Sequence, residues 1–502
     1  MAGYEIRFDW EDGRDVTQPC PMCRETGPHA HDVNVYSPAS PCAEAAFFRC
    51  RSCDGLFAHP FEWPDYGEDY GFPDYLRYYA EAGAGLVSML DPLARAFRKE
   101  MRTMIDVGSG VPFAADFARR RLKLDAVCID PSRYARQGGE WLGVPVENAL
   151  LGGGSSADGQ SFDIVYSSEV VEHVSDPAGF LQVLTDHLAP DGVLVLTTPN
   201  ADFVSPETAA LDNLGLVWPG IHHALYTAEG LKAAIERAGL CAVEVIVERE
   251  RLVAFASRKA FGLNPSGTGL VEAHLEARTD DGLPDALHQG LCFRLFRDAI
   301  GRGRTDAALE ALGRLRVALT RAGGPDITHS SDMAEAAEAL GAEAFHETWP
   351  YFAPLTPYLS GSLALSEGCR DLTAAAEHFA AQVKICERLH GGDPLWRAEI
   401  AHLWAPALFS HGLARLMARD ANSAIGSFEK LLSGDAPRGS LAAHGRRDPD
   451  LLIQARIQLG SALLQARRKP EAERVLTAVR AAADASHHAV IDALLARCRT
   501  PT

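Results

Sequence analysis

Between residues 101 and 257 the chain carries six short apolar runs rich in β-branched residues: MRTMIDV, DAVCID, SFDIVYSS, GVLVLTT, CAVEVIVE and RLVAFAS. Amphipathic helical stretches separate them, and this alternation predicts a parallel α/β sheet over about residues 66–258. The first 65 residues read differently: they are irregular, rich in Pro and Cys, and show little hydrophobic periodicity. A Gly- and Pro-containing stretch, FGLNPSGTG (261–269), reads as a linker. From about residue 270 onward no strand pattern remains, only Ala/Leu/Arg/Glu-rich helical periodicity. The expected architecture is a small head at 1–65, an α/β core with a parallel central sheet at 66–260, and an all-α region at 270–502.

The helical region is self-similar. AAAEHF around Ala376, NSAIGSF around Ala424 and PEAERVL around Ala472 each open a second helix after a polar turn, at intervals near 48 residues. That period is longer than the about 34 residues of a tetratricopeptide repeat. Even so, ARIQLGSALLQARRKPEAERVL resembles such a hairpin, with Gly460 and Ala462 in the first helix and Ala472 in the second. LFRDAIGRGRTDAALEALGRL (295–315) reads as another. The resemblance implies a surface for a protein partner or for self-association. A plain helical bundle with Ala at its close contacts is the simpler alternative.

Composition narrows the class. At 502 residues the chain is too long for one core, and its 47% apolar and 23% charged content is that of a globular protein. A net charge of −19 argues against general nucleic-acid binding. No stretch approaches a membrane span and MAGYEIRFDW has no signal-peptide pattern, so a cytoplasmic protein without a transmembrane segment is expected. The preference for Arg over Lys and the many Ala suggest a GC-rich bacterial source. Four of the eleven cysteines form two Cys-x-x-Cys pairs, Cys20/Cys23 and Cys50/Cys53. In a reducing compartment such pairs point to metal, and two knuckles at this spacing can surround one structural Zn²⁺ with four thiolates, making the head a zinc ribbon. His29, His31 and Cys42 lie between the knuckles and read as loop surface, since four thiolates complete the shell.

The candidate chemistry lies in the α/β region. MIDVGSGVPFAADFARR runs strand, Gly-rich turn, helix, with Asp106 at the strand end and Gly108 and Gly110 in the turn. An acid there would repel a pyrophosphate but suits a ligand that carries an ammonium group. The next strand ends in Asp130, where a carboxylate accepts hydrogen bonds from a ribose diol. Further on, Glu169, Glu172 and His173 stand at i, i+3 and i+4, one face of a helical turn facing the ligand crevice. One reading makes His173 a general base for an acceptor hydroxyl. A second has Glu169, Glu172, His173 and a histidine of IHHALY bind a divalent ion, and a third leaves the group to shape the loop.

DVGSG, CIDPS, FDIVYSSEVVEHVSDP, LAPDGVLVLTTPN and IHHALYTAEGLKAAIERAGL together resemble the class I S-adenosylmethionine (SAM)-dependent methyltransferases over about residues 100–257. The similarity is to ubiquinone-pathway O-methyltransferases and to bacterial enzymes that modify sugars and glycans; a zinc-ribbon head followed by the tyrosine-rich lead-in DYGFPDYLRYYAEA also resembles bacterial relatives in that group. It implies a Rossmann-like core in which Asp106, Gly108 and Gly110 line the methionine and ribose side and Asp130 holds the ribose. Ser167 and Ser168 would then end the strand below the transferring methyl. Pro112 replaces the third glycine of many members, and Glu147 or Asn148 stands in the adenine segment where an aspartate is common. The ExxEH group with a downstream histidine is similar to the metal site of small-RNA 2′-O-methyltransferases, which implies His222, or alternatively His223, as fourth ligand to Mg²⁺ or another divalent ion. The function implied is O-methylation of a hydroxyl on a glycan or glycan-like small molecule. The alternatives are a quinol, lipid or secondary-metabolite acceptor, or a partner-binding scaffold on a degenerate core.

Overall fold

The computed structural model describes residues 6–10, 13–37, 40–64, 69–83, 86–208, 210–327, 329–389, 400, 403–433 and 449–500. Part of the MAGYEIRFDW segment and the boundary drawn after residue 65 lie outside them. The chain divides into two compact units, Met1–Leu291 and Cys292–Thr502.

The first unit opens with strands β1 (Arg7–Asp9), β2 (Val16–Pro19), β3 (Thr26–Tyr36), β4 (Glu44–Arg49) and β5 (Leu56–Ala58), then helices α1 (Asp74–Ala82) and α2 (Leu86–Ala96). The core follows as β6 (Thr103–Val107), α3 (Phe113–Phe117), β7 (Asp125–Ile129), α4 (Arg133–Leu142), β8 (Val146–Glu147), β9 (Phe162–Ser168), α5 (Pro177–Asp186) and β10 (Leu188–Pro199). It closes with α6 (Ala210–Val217), β11 (Ala224–Leu225), α7 (Ala228–Arg237), β12 (Ala242–Glu248), β13 (Arg251–Ser257) and α8 (Thr268–Arg278). The central sheet has the order β12-β13-β10-β9-β6-β7-β8. Strands β10 to β8 are parallel, whereas β13 is antiparallel to β10 and to β12. Gly192 to Pro199 of β10 are buried without a break, as expected for a strand covered on both faces, while Ala189–Asp191 before them are not. The chain runs outward from β6 to β8 and returns at β9 on the other side of β6. The carboxyl ends of β6 and β9 therefore flank the topological switch point, where such sheets bind ligands.

The head departs from its irregular reading. Strands β1, β3, β4 and β5 form an antiparallel sheet with β11, and β2 pairs with β3. Val33, Val35, Phe47, Leu56 and Ala58 pack with Leu225, Val204 and Val217 in one buried cluster. Short strands carry little periodicity of their own, and the last strand of this sheet comes from far downstream. Head and core are thus parts of one unit.

The stretch read as a linker is docked. Asn264 N–H donates to Arg95 O (2.8 Å) and Gly267 N–H to Asp91 Oδ1 (2.6 Å), both on α2. Beyond it α8 packs on the core: Arg278 Nε and His274 Nε2 lie 2.9 and 3.3 Å from Asp116 Oδ2 on α3, and all three side chains are buried.

In the second unit every described element is helical. Three hairpins carry the repeat: Thr356–Leu365 with Leu372–Leu389, Trp404–Met417 with Ala421–Ser433, and Pro449–Gln465 with Lys469–Ala482. Ala376, Ala424 and Ala472 are all buried, as their spacing implied. In each first helix a glycine admits a large side chain from the second. A Cβ on Gly361, Gly412 or Gly460 would meet Phe379, Phe428 or Leu476 within 2.9 Å. The turns share a signature as well: Arg370, Arg419 and Arg467 all hold positive φ (47°, 64° and 63°). No described helix is long and apolar enough to cross a membrane.

Candidate active site

Asp106, on β6, is buried and its Oδ2 lacks a hydrogen-bond partner. Burial, and then the neighbouring Asp130, push its carboxyl up to about 8. A cation placed beside it would favour ionisation, so the orphaned oxygen fits the ammonium of a methionine moiety. Gly108 follows with φ +70°, and a Cβ there would lie 2.6 Å from Val170 Cγ2, so both backbone conformation and space require glycine. Gly110 N–H donates to Asp130 Oδ2 at 2.8 Å, and Ser132 N–H and Oγ donate to Oδ1 at 2.8 and 2.5 Å. Asp130 thus ties the glycine turn to the cap of α4. Pro112 stands at the start of α3 with φ −78° and leaves its first turn intact. Ser167 Oγ donates to Val107 O (3.1 Å), and Ser168 Oγ bonds Thr197 Oγ1 (2.7 Å), which locks the ends of β6, β9 and β10 together. Glu147 accepts Ser156 N–H at 2.8 Å together with the Ser156 hydroxyl, so its carboxylate is engaged within its own loop.

Beyond β9 the chain does not enter the helical turn that the Glu169, Glu172, His173 spacing predicted. Glu169 takes a left-handed φ of 55° so that the strand can turn sharply, and only Val171–His173 form a single 3₁₀ turn. The Glu169 carboxylate consequently accepts from Thr197 Oγ1 (2.7 Å) and stands outside the cluster that its neighbours form. That cluster is Glu172, His173 and His222, each offering one ligand atom within 4.8 Å of the others. His173 Nδ1 donates to Ile221 O (3.1 Å) and His222 Nδ1 to Leu216 O (2.5 Å). A carbonyl only accepts, so both rings carry their proton on Nδ1 and present Nε2 with its lone pair, the tautomer a metal ligand or general base needs. Glu172 Oε2 accepts from Thr198 Oγ1 (3.0 Å), while its buried Oε1 has no hydrogen bond and lies 3.7 Å from His173 Nε2. Burial holds His173 down to about 4 and His222 to about 3, and lifts Glu172 well above the usual carboxylate range. Two neutral imidazoles and an orphaned carboxylate oxygen fit a divalent ion. His223, the alternative ligand, turns its ring to Phe61 and Trp63 (4.9 and 4.6 Å).

Tyr79 of α1 was not singled out by its sequence. Its hydroxyl lies about 3.9 Å from where a Cβ on Gly110 would stand, and its ring stacks on Tyr134. Burial first, and then Asp130 and other neighbouring acids, raise its pKa above the ordinary tyrosine value. Its one signal is the tyrosine-rich lead-in.

The four paired cysteines meet: Cys20 Sγ is 3.8 Å from Cys53 Sγ, and Cys23 Sγ 3.6 Å from Cys50 Sγ. These separations match the about 3.8 Å edge of a tetrahedron built on Zn–S bonds of about 2.3 Å. The knuckles are also alike in backbone. Arg24 and Asp54 have φ of 65° and 58°, and each donates its N–H to the first cysteine of its pair (2.8 and 2.9 Å). His29 and Cys42 bond Gln18 O and Glu44 O instead and stand apart from the cluster.

Residues 78–245 match a family described as a methyltransferase domain. A ubiquinone biosynthesis O-methyltransferase of Cereibacter sphaeroides is 29% identical over 154 residues, covering 28% of this chain and 61% of the relative. The enzyme of the same name from a Methylobacterium species is 32% identical over 148 residues, covering 28% of this chain and 59% of the relative. The chain thus spans about three-fifths of the length of these relatives. Among solved structures, an O-methyltransferase family protein from Burkholderia thailandensis shares 20% identity over 38% of this chain and 59% of its own, with a TM-score of 0.31. With the glycine turn and the acids of β6 and β7 in place, residues 78–245 carry the match to a methyltransferase domain and the similarity to these O-methyltransferases.

Proposed function

We propose that the protein is a SAM-dependent O-methyltransferase acting on a hydroxyl of a glycan or glycan-like small molecule. The observation that carries this is the convergence of one ligand atom each from Glu172, His173 and His222 within 4.8 Å of one another, just beyond β9. The cofactor supplies an activated methyl group when bound. Asp106 meets its ammonium, Gly108 and Gly110 let the backbone approach it, and Asp130 holds the ribose hydroxyls. In the metal-free mechanism His173 Nε2 takes the proton of the attacked hydroxyl; the metal mechanism is its alternative, because the one lone pair on Nε2 cannot serve both. A divalent ion such as Mg²⁺ held by Glu172, His173 and His222 would grip adjacent hydroxyls and lower the pKa of the one attacked. The Cys20, Cys23, Cys50 and Cys53 thiolates hold a structural Zn²⁺. The names of the relatives favour a second reading, a quinol acceptor, which also offers adjacent oxygens on a ring. The helical repeat serves as a tetratricopeptide-like surface for a partner or a second copy, and the protein works in the cytoplasm.

Calorimetric titration with SAM tests the enzyme reading against a scaffold with a degenerate core. Wild type is expected to bind, and Asp130→Ala to bind more weakly by about 1.5–3 kcal/mol through lost charge-assisted hydrogen bonds. Equal affinity in the variant would remove the assignment of Asp130 to the ribose. Methyl transfer from labelled SAM to a pyranoside diol or to a catechol-type quinol then separates the two acceptor classes.

A further inference from the structure

The two clusters of ligand-type side chains are mechanically joined. Directly after Cys53, β5 pairs with β11, Phe57 opposite Ala224 and Leu56 opposite Leu225. The same pairing continues one step back, where Ala58 N–H donates to His223 O at 2.9 Å. His223 N–H in turn donates to Glu172 O at 2.8 Å. The second knuckle therefore fixes the segment that carries His222, and that segment fixes the turn that carries Glu172 and His173. Two further ties flank this path. Thr227, which caps α7, donates its hydroxyl to Cys53 O (3.3 Å), and Gly230 comes so close that a Cβ there would lie 2.7 Å from that carbonyl. On the other side, Arg24 of the first knuckle grips both oxygens of Asp176 (2.8 and 2.7 Å), the cap of α5 three residues beyond His173. The Arg24 pair is exposed and contributes little by itself. The strand pairing and the Thr227 contact are buried, and they carry the connection.

We propose that the paired-cysteine knuckles are a positioning element of the acceptor centre: the metal they hold sets the placement of His222 and, through His223 and Glu172, of His173. The proposal rests on the zinc reading given above. It assigns the head a role in shaping the methyl-acceptor side, and none in holding the cofactor, whose turn is built from β6, β7 and α4.

Hydrogen–deuterium exchange on the full chain tests it, with zinc content measured alongside. In Cys50→Ser, peptides covering 169–176 and 218–227 are expected to exchange at least about tenfold faster, while those covering 103–107 and 125–129 stay within about twofold of wild type. SAM affinity, read by calorimetry, is expected to be unchanged. Gly230→Ala pushes on the Cys53 carbonyl without touching a cysteine, and is expected to produce the same local pattern with zinc retained. This second variant decides the matter if Cys50→Ser does not fold. Unchanged exchange at 218–227 in both variants would overturn the proposal, as would a uniform rise across the central sheet. A wild-type protein free of zinc would refute the zinc reading, and Gly230→Ala would then report whether the knuckle backbone alone supports the centre.

Discussion

Replacing His173 with alanine is expected to slow methyl transfer by about 10²–10⁴-fold, the usual contribution of a positioned acid–base group, while SAM binding stays nearly intact. The asymmetry follows from where the ring sits. Its Nδ1 is tied to Ile221 O, and its Nε2 lies 3.7 Å from Glu172 Oε1, in the cluster that His222 completes. A chelator then divides two mechanisms. If Glu172, His173 and His222 hold a catalytic ion, EDTA stops turnover and added Mg²⁺ or Mn²⁺ restores it. If His173 acts alone, chelation changes little and pH becomes the informative variable. Burial holds this imidazole down to about 4, so it is the neutral, proton-accepting form above that value. The rate is then expected to rise as pH passes through about 4 and to run flat through neutrality, with no step near the ordinary histidine value of about 6.5. Full activity in His173→Ala would sink both mechanisms and leave proximity and orientation as the source of catalysis.

Cys50→Ser is expected to remove about one Zn²⁺ per chain and to melt the β3–β5 sheet, the largest stability effect among these substitutions. Cys50 is completely buried, and its backbone closes the second knuckle through Cys50 N–H to Gly55 O and Asp54 N–H to Cys50 O, both 2.9 Å. A serine cannot supply the fourth thiolate. Structural zinc sites in small peptides contribute roughly 10–16 kcal/mol, more than so short a sheet gains by packing alone. Metal analysis together with limited proteolysis between residues 20 and 58 reads the result. A wild-type head that is folded and free of metal would remove the idea.

The six core strands were legible because each is a short run rich in β-branched residues; LVLTT of β10 is buried without a break, while the edge strand β12 shows up through its alternating Val, Ile and Glu. The strand-end places of Asp106 and Asp130 were legible because each closes a β-branched run that opens onto a turn. The head sheet was not legible, since β5 completes its pairing with Ala224–Leu225 and no local pattern announces a partner so far away. Glu169 misled for a related reason. Its spacing to His173 is helical, but the sharp exit from β9 forces a left-handed φ that sequence periodicity does not record. The choice between His222 and His223 depended on which face of a short bridging segment meets Glu172, a register question that one residue decides. In the helical unit the alanines of the repeat were visible, whereas the positive-φ arginines of its turns were not, because arginine is no signal for that conformation.

Asp116 bears on where this protein can be divided. It stands on the helix that leaves the glycine turn; Arg120, one turn on, donates to its Oδ1 (2.7 Å), whereas the partners of its Oδ2, Arg278 and His274, arrive only after the last strand has ended. A fragment ending at Ser257 would keep every strand of the central sheet and the Arg120 contact, but would leave Oδ2 of this buried carboxylate without the Arg278 guanidinium. Breaking a buried pair outright costs about 3–5 kcal/mol, which bounds the loss from above because Arg120 remains. The seam for exchanging tails between related enzymes therefore lies near Leu291, and the glycine-rich stretch at 261–269, inviting as it looks, is part of the machine on the upstream side.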